Sequence, residues 1–356
     1  MEDMVNTTVE NFWSGKRVLI TGHNGFKGSW LSHWLVHLGA NVAGFSLPAQ
    51  SDQPLFEQLG LPAKMDHATG DIRDPEAITS RVNDVDPEVV IHMAAQPLVL
   101  ASYEDPIQTW QTNVMGSAHL MQALHKLNRN CAVVMVTTDK VYENREWLHP
   151  YREDDQLGGH DPYSASKAAM EIAIASWRKS FMHNTVVRMA SARAGNVIGG
   201  GDWAQDRIVP DIIRSLTAGS PICVRNPNAV RPFQHVLEPL SGYLRLAEAL
   251  LTRPADTANS YNFGPELSDL RNVASLVEEA LNHWEGSWSS QPDPKAFHEA
   301  NLLSLGIEAA RHDLDYCPRW DSRTAIARSI EWYRAVHDGT DAAEITAKQI
   351  NEFGAP

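Results

Sequence analysis

The sequence predicts an α/β protein built on a doubly wound parallel sheet, with a smaller lobe in its C-terminal part. Short apolar runs alternate with helical patterns through the first half, as in parallel sheets covered on both faces. The first apolar run leads directly into a glycine-rich turn. After about Gly195 the pattern loosens into loops rich in Gly, Pro and Asn.

The predicted strands are continuous apolar runs, as expected when both faces of a sheet are buried. They cover residues 17–22, 41–46, 89–92, 132–137 and 186–189. Predicted helices cover residues 26–38, with Gly39 as a C-terminal cap, and residues 106–127 and 162–181. A final helix over residues 341–353 is either exposed or docked. A sheet of this kind places its ligand crevice at the carboxyl ends of the strands.

These patterns divide the chain into two parts. Residues 1–195, with contributions from parts of 230–265, are predicted to form the dinucleotide-binding domain. Residues 196–356 are predicted to form mainly a lobe over the crevice that holds a second ligand.

Composition indicates an ordinary globular protein of 356 residues with 43% hydrophobic and 21% charged residues. A formal net charge of −14 disfavours nucleic acid and anionic membranes as partners. The three cysteines show no disulfide or zinc spacing and are expected to be buried or half-buried. Residues 1–14 do not resemble a secretory leader, and no apolar run reaches the ~20 residues of a membrane span. The expected location is the cytoplasm.

The turn Gly22-His23-Asn24-Gly25-Phe26-Lys27-Gly28 follows a predicted strand and opens a predicted helix. Glycine permits unusual backbone torsions and close approach of a pyrophosphate, and the helix N-terminus favours negative charge. The placement predicts a dinucleotide site of the Rossmann type. The residues assigned to the cofactor are Gly22, Asn24, Gly25, Phe26, Gly28, Ser46, Asp71, Ile72, Ala94, Ala95, Asn113, Tyr163 and Lys167.

The end of the second strand does not identify the cofactor. NAD enzymes usually carry an acid there that binds the adenosine ribose, and Ser46 is the nearest polar group in this chain. NADP therefore stays open on this evidence. Asp71 lies where a loop that contacts adenine is expected, although an exposed loop acid is the alternative.

Tyr163 and Lys167 are four residues apart on a predicted helix and share one face. A nearby ammonium is expected to lower the pKa of the phenol from its usual ~10. Tyr163 can then accept the proton of a substrate alcohol that loses hydride.

Thr138-Asp139-Lys140 follows a buried strand directly, so these side chains are expected at the crevice. Thr138 can hydrogen-bond the same alcohol, while Asp139 and Lys140 add groups that move protons. A simple dehydrogenase does not need them, which suggests oxidation coupled to elimination of water. The alternative is a polar strand end that caps the next turn. His92 is expected to be a structural histidine rather than a catalyst.

A second group of residues is expected to bind substrate, in part as a grip for a nucleotide diphosphate. Arginine suits the forked contact that phosphate favours, although structural ion pairs are the alternative. These residues are Gln96, Arg193, Asn196, Arg207, Arg231 and His235.

Together, these motifs resemble the extended branch of the short-chain dehydrogenases/reductases over residues 17–333. Residues 22–31, 137–142, 193–203 and 231–243 are more narrowly similar to the CDP-glucose 4,6-dehydratases, which make deoxysugars for bacterial surface polysaccharides such as O-antigen. The resemblance implies retained NAD and CDP-glucose as substrate. It also implies a dimer made by residues 106–127 and 162–181, although their apolar positions can instead belong to the core. Whether dimers pair into tetramers is open.

The resemblance implies oxidation at C4, loss of water across C5 and C6, and return of hydride to C6. Thr138 would position the C4 oxygen, Asp139 would protonate the departing hydroxyl, and Asn113 and Asn196 would contact the cofactor and the diphosphate. Lys140 departs from the glutamate of dTDP- and GDP-sugar relatives. It acts either as a neutral base for the C5 proton, our first hypothesis, or as a cation that stabilises the enolate. Competing interpretations are a dehydratase for another nucleotide sugar, a 4-epimerase, or a non-catalytic dinucleotide sensor.

Overall fold

The centre of the protein is a seven-stranded parallel sheet, seen in a computed structural model that describes residues 12–49, 53–291 and 302–356. Its strands are β1 (Arg17–Thr21), β2 (Asn41–Ser46), β3 (Asp66–Thr69), β4 (Val89–His92), β5 (Cys131–Val136), β6 (Val187–Ala194) and β11 (Ser260–Phe263). Short strands outside it are β7 (Val197–Ile198), β8 (Ile222–Val224), β9 (Val230–Arg231), β10 (Gln234–His235), β12 (Arg271–Asn272) and β13 (Trp288–Ser290).

Helices cover both faces of the sheet and build the lobe. They are α1 (Phe26–His37), α2 (Leu55–Gln58), α3 (Pro75–Val85), α4 (Val99–Glu104), α5 (Pro106–Trp110), α6 (Ser117–Leu124), α7 (Pro162–Trp177), α8 (Ile208–Thr217), α9 (Leu237–Thr252), α10 (Val273–His283), α11 (Glu308–Leu314), α12 (Ser322–His337) and α13 (Ala342–Phe353). No helix within the described ranges is long and apolar enough to cross a membrane.

The strand order is β11-β6-β5-β4-β1-β2-β3, with every neighbouring pair parallel. The chain winds outward in opposite directions from β1, so a crevice opens at the carboxyl ends of β1 and β4. Alternate residues of β1 enter different cores: Val18 and Ile20 pack on one face, and Leu19 on the other. This two-sided burial explains the continuous apolar runs of the sequence.

The predicted fold class is confirmed, and the predicted strands match within a few residues. The predicted helix 106–127 is divided into α5, a wider π-helical stretch Gln111–Gly116, and α6. A second π-helical stretch, Arg178–Met182, extends α7. β11 shows how the region 230–265 contributes to the sheet, although the full division into two parts stays a prediction.

The last helix is docked on the protein. The Phe353 ring at its end lies 5.8 Å from the Trp34 ring of α1 and 5.2 Å from the Trp320 ring. The expectation for the cysteines is wrong in part: Cys131 is buried in β5, but Cys223 and Cys317 are exposed. None of the three forms a disulfide within the described part of the chain.

Candidate active site

The glycine turn connects β1 to α1 and depends on its glycines for two different reasons. Gly22 has a positive φ of 75°, and a Cβ there would lie 2.8 Å from the Ala94 nitrogen. A Cβ on Gly28 would lie 2.1 Å from the Gly22 oxygen. Gly25, by contrast, is exposed, with an ordinary φ of −75° and no contact closer than 3.5 Å. The turn is therefore tightly packed at its ends and open at its middle, beside the N-terminus of α1.

Two other residues assigned to the cofactor support the turn. The Asn24 side-chain nitrogen donates to the Leu47 oxygen at 2.7 Å, which ties the turn to the chain after β2. The Phe26 ring lies near Gly199, where a Cβ would approach it to 3.1 Å.

At the end of β2 a serine–histidine pair stands where many NAD enzymes have an acid. The Ser46 hydroxyl and the His23 Nδ1 are 2.9 Å apart. The His23 ring packs edge-on against Phe56 and fills the space beside Gly44, where a Cβ would lie 2.3 Å from the ring. Burial, and then the neighbouring His67, lowers the pKa of His23 to about 4, so the ring is neutral. Sequence reasoning missed His23, which lies within the glycine turn.

The loop after β3 holds its predicted acid in an ion pair. The Asp71 carboxylate and the Arg73 guanidinium are 2.6 Å apart, and hydrogen bonds from Arg73 hold the pKa of Asp71 below its usual value. Ile72 is buried beneath Gly116, where a Cβ would come within 2.6 Å of the isoleucine. A contact with adenine at Asp71 stays a prediction.

The end of β4 is locked to α7 through Asn113. Its side chain accepts from the Gln96 backbone nitrogen at 2.8 Å and donates to the Ser166 hydroxyl at 2.9 Å. The Gln96 amide in turn donates to Thr109 at 2.9 Å. Both predicted ligand contacts are thus engaged with protein, and their arrangement fixes the loop that contains the half-buried Ala94 and Ala95.

His92 has the structural role expected from the sequence. Its ring nitrogens lie 2.6 Å from the Thr21 hydroxyl and 2.9 Å from the Ser117 hydroxyl. Burial lowers the pKa of His92 to about 3, so it is neutral.

Thr138, Asp139 and Tyr163 meet in the crevice. Thr138 caps the short 3₁₀ helix Asp139–Val141, and its hydroxyl donates to the Asp139 carboxylate at 3.0 Å. Thr138 also lies close enough to Tyr163 to lower the pKa of its phenol. All three side chains are more than nine-tenths buried. The end of β5 and the start of α7 therefore present a hydroxyl, a carboxylate and a phenol at one place.

The sequence analysis predicted that a nearby ammonium lowers the pKa of Tyr163, and this prediction is wrong for the protein without ligands. Burial raises the pKa of Tyr163 to about 12, although the nearby Thr138 opposes the rise. The Lys167 ammonium does not offset it, because its Nζ is directed to the Val136 oxygen at 3.1 Å. Burial, and then the nearby Lys27, lowers the pKa of Lys167 to about 7.

Lys27 was not identified from the sequence, although it lies inside the glycine turn. Its Nζ stands 5.8 Å from the centre of the Tyr243 ring. Burial and the Arg207 guanidinium lower the pKa of Lys27 to about 8, while Asp139 and Asp202 oppose that change. A second cation therefore faces the group around Tyr163.

Lys140 lies in a different environment from the one its predicted role as a base requires. Its side chain is 36% exposed, and its Nζ is 3.8 Å from the Asp139 carboxylate. A lysine is neutral near pH 7 only where burial or a neighbouring cation disfavours its charged form. Instead, the neighbour is an anion.

Arg193 and His235, both predicted to bind substrate, lie instead in the interior of the protein. Arg193 lies in the interior and donates to Glu171 at 2.9 and 3.0 Å. The fully buried His235 ring packs between Trp30 and Trp320, at ring distances of 5.5 and 4.8 Å. Neither side chain reaches a cleft wall, because each is needed to fill or neutralise the core.

The other residues predicted to bind substrate lie outside the closed core. Arg207 is 34% exposed, pairs with Asp202 at 2.8 Å and acts electrostatically on Tyr163. Asn196 is half-buried beside β10, where its backbone oxygen accepts from Gln234 at 3.0 Å. Arg231 is half-buried in the short β9–β12 ladder. Their roles towards a substrate stay predictions.

A parallel sheet with a glycine turn at its switch point and a Thr–Tyr–Lys group beside it defines an enzyme of the short-chain dehydrogenase/reductase type. The chain belongs to the GDP-mannose 4,6 dehydratase family, whose profile matches residues 19–318. It therefore lies among the nucleotide-sugar 4,6-dehydratases, which are hydro-lyases.

Among individual relatives, a strongly similar one is a 4,6-dehydratase and a more distant one is an epimerase. The chain is 44% identical over 351 residues to a CDP-glucose 4,6-dehydratase of Salmonella typhimurium, covering 97% of this chain and 98% of that one. It is 23% identical to a CDP-paratose 2-epimerase of Salmonella typhi, covering 90% of this chain and all of the other.

Solved structures share the fold at low sequence identity. A dTDP-glucose 4,6-dehydratase from Bacillus anthracis, solved in complex with NAD, has a TM-score of 0.75 at 18% identity, covering 92% of this chain and 99% of that one. An epimerase from Methanothermobacter thermautotrophicus has a TM-score of 0.80 at 21% identity, covering 97% and 98%.

The glycine turn gives a test that separates folding from ligand binding. We expect Gly28→Ala to lower both thermal stability and dinucleotide affinity, because its Cβ would collide with the Gly22 carbonyl at 2.1 Å. Gly25→Ala should leave the melting temperature within about 2 °C of the original, because its Cβ is accommodated, yet weaken dinucleotide binding about tenfold or more by obstructing the open middle of the turn. Calorimetry and a binding titration measure both effects. Unchanged affinity in Gly25→Ala would show that the ligand does not approach this turn.

Proposed function

We propose that the chain is an NAD-dependent CDP-glucose 4,6-dehydratase, which converts CDP-glucose to CDP-4-keto-6-deoxyglucose. The observation that carries the proposal is the 44% identity to a protein of that name over 97% of this chain. The site agrees with it, since Thr138, Asp139 and Tyr163 meet where oxidation and elimination must be coupled.

The residues present fit NAD. The open Gly25 and the N-terminus of α1 would hold the pyrophosphate, and Ser46 and Asp71 would lie towards the adenosine. The absence of an acid at the end of β2 predicts weaker NAD binding than in relatives that have one. Bound NAD would accept the C4 hydride and return it to C6, and its oxidised nicotinamide would add positive charge to the site.

In the proposed reaction Tyr163 removes the proton of the C4 hydroxyl, and Thr138 positions the C4 oxygen. Because burial holds the pKa of Tyr163 near 12, the phenol needs positive charge close by before it can lose its own proton. Arg207, which already lowers this pKa, and the half-buried Lys27 are the protein cations available for this, whereas Lys167 is turned to the Val136 oxygen. The C4 ketone then acidifies the C5 proton.

For the elimination we propose that Lys140 stays charged. Its position 3.8 Å from Asp139 supports a cation that stabilises the enolate oxygen rather than a neutral base. The Asp139 carboxylate then takes the C5 proton and delivers it to the C6 hydroxyl, which leaves as water. One carboxyl group thus serves both steps. After hydride has returned to C6, C5 takes up one proton from solvent, which balances the proton that Tyr163 removed from the C4 hydroxyl.

We also propose that the chain acts as a homodimer in the cytoplasm and serves deoxysugar synthesis for surface polysaccharides. Large apolar side chains lie exposed on α5, on α7 and on their π-helical extensions, which supports the four-helix contact expected for this family. These side chains are Ile107, Trp110, Met115, Ile172 and Phe181. The free cysteines suit a reducing compartment.

In the first test, the protein is incubated with NAD and with a CDP-, dTDP-, GDP- or UDP-hexose in four separate reactions. The mass of each product is then measured. We expect loss of one water from CDP-glucose alone, with no net NADH. An unchanged mass with inverted C4 would instead identify an epimerase, and net NADH a dehydrogenase. Loss of water from a different nucleotide sugar would support the same class of reaction but a substrate with a different nucleotide base.

The role of Lys140 is decided by comparing two substitutions. Lys140→Arg keeps a charge that cannot act as a base, whereas Lys140→Met removes it. In D₂O we expect incorporation of deuterium at C5 to fall about 10²-fold or more in Lys140→Met but less than about tenfold in Lys140→Arg. Equal losses in both would support the neutral base. Incorporation of deuterium at the original rate in Lys140→Met would show that Lys140 takes no part in the reaction.

The dimer is tested by placing charge on the exposed apolar face. Ile107 and Ile172 are 66% and 62% exposed, so glutamate at both positions should leave the fold intact. Sedimentation should show a dimer for the original protein and a monomer for Ile107→Glu/Ile172→Glu. Leu148→Glu is the matched control, because Leu148 is exposed on a loop outside these helices and should leave the dimer unchanged. Persistence of the dimer in the double variant would place the interface elsewhere.

A further inference from the structure

A buried ion pair that the proposed reaction does not use lies directly behind the crevice. Glu171 on α7 accepts from Arg193 on β6 through two hydrogen bonds, of 2.9 and 3.0 Å. Both side chains are at most 5% exposed. Charges this deeply buried are costly unless they are paired and hydrogen-bonded, as these two are.

The Glu171 carboxylate is also bound by hydroxyl groups from two strands. It accepts from Thr137 at 2.6 Å, at the end of β5, and from Ser191 at 2.7 Å, on β6. Burial alone would raise the pKa of Glu171, but the Arg193 cation, followed by hydrogen bonds from Arg193, Ser191 and Thr137, holds it below its usual value, so the carboxylate stays ionised.

Two side chains of α7, one helical turn apart, hold consecutive residues at the end of β5. Lys167 donates to the Val136 oxygen at 3.1 Å, and Glu171 accepts from the Thr137 hydroxyl at 2.6 Å. The next residue is Thr138, so the grip ends where the segment Thr138-Asp139-Lys140-Val141 begins.

The other end of that segment is held by the same ion pair. Tyr142 follows it directly, and its hydroxyl accepts from the Arg193 Nη1 at 2.8 Å. The same Nη1 donates to the Glu153 backbone oxygen at 2.9 Å. Thr137 on one side and Tyr142 on the other are thus attached to one Glu171–Arg193 unit.

We propose that the Glu171–Arg193 pair is a positioning unit that clamps residues 138–141 at both ends. Because Glu171 lies one helical turn from Lys167 on α7, the pair also acts on the charge of that lysine. The clamp keeps Thr138 and Asp139 in place opposite Tyr163, which comes from the start of the helix that carries Glu171. The meaning of the clamp for catalysis rests on the proposed function, whereas its effect on Lys167 does not.

The charge on Lys167 responds to groups from several elements. Lys27 faces it from α1, the neutral His92 from β4, and Glu171 from its own helix. Burial and Lys27 lower the pKa of Lys167 to about 7, and Glu171 raises it. The Arg193 cation offsets part of the Glu171 anion, because it lies on the same carboxylate. Removing Glu171 should therefore lower the pKa of Lys167, and removing Arg193 should raise it.

The test is an NMR titration of lysines labelled with ¹³C at Cε, without substrate or cofactor, with Lys167→Met to assign the resonance. The original protein should show Lys167 titrating near pH 7. We expect the midpoint to fall by about one pH unit in Glu171→Gln and to rise by about one in Arg193→Met. In the double variant it should return towards the original value. Shifts in the same direction, or none, would overturn the charge effect.

The clamp is tested separately with Arg193→Lys, which keeps the charge but lacks the fork that reaches both Glu171 and Tyr142. We expect the Lys167 midpoint to stay within about half a unit while kcat falls about tenfold or more and KM changes little, because small displacements of reacting groups reduce the rate steeply. Unchanged kcat would overturn the clamp.

Glu238→Gln is the matched control, because Glu238 is equally buried but accepts from the Arg319 and Trp320 backbones near α12, outside this network. It should change neither the Lys167 midpoint nor kcat. If the original protein did not dehydrate CDP-glucose, the proposed function would be wrong. The NMR titration would still test the effect of Glu171 and Arg193 on the charge of Lys167.

Discussion

The site depends on burying a carboxylate and a guanidinium together between α7, β5 and β6. Isolated, either charge would be too costly in the interior, and each would leave strong hydrogen-bonding groups unmatched. Paired, they bind the residues on both sides of the short helix that contains Asp139. The polar end of β5 can therefore sit in a nearly closed core without losing its orientation. Tyr163 and Lys167 are aligned by the same helix, so both halves of the site share one support.

Burial also explains why the amine and phenol groups depart from their ordinary titration. It lowers the pKa of Lys27 to about 8 and of Lys167 to about 7, and it raises the pKa of Tyr163 to about 12. The same desolvation thus weakens both cations and the phenolate that they would support. A change of charge in the crevice, such as arrival of an oxidised nicotinamide or an anionic substrate, acts on all of them together. Because these groups are poorly solvated, their protonation should depend on the charge of the ligand that binds beside them.

The parts that could be predicted from the sequence are those fixed by local rules. β1, the glycine turn and α1 follow from an apolar run and from two glycines that larger residues cannot replace: Gly22, because of its torsion, and Gly28, because of its packing. Arg193 could not be placed in the same way, because its partner Glu171 is 22 residues away and comes from another element. His235 was misjudged for a related reason: a histidine next to a candidate phosphate-binding arginine looks polar, yet tryptophans from distant segments enclose it. Lys27 was missed because it lies in a turn that is recognised by its glycines.

The balance of charge in the crevice is opposite to that of the chain. The chain has a net charge of −14, but the groups around Tyr163 are four basic side chains against three carboxylates. The basic side chains are Lys27, Lys140, Lys167 and Arg207, and the carboxylates are Asp139, Asp161 and Asp202. A local excess of positive charge within low-dielectric walls concentrates field lines and attracts anions into an otherwise repelling surface. Dinucleotides and nucleotide sugars both carry a negative pyrophosphate. The acidic exterior keeps general polyanions away, and the cationic crevice admits those small enough to enter it.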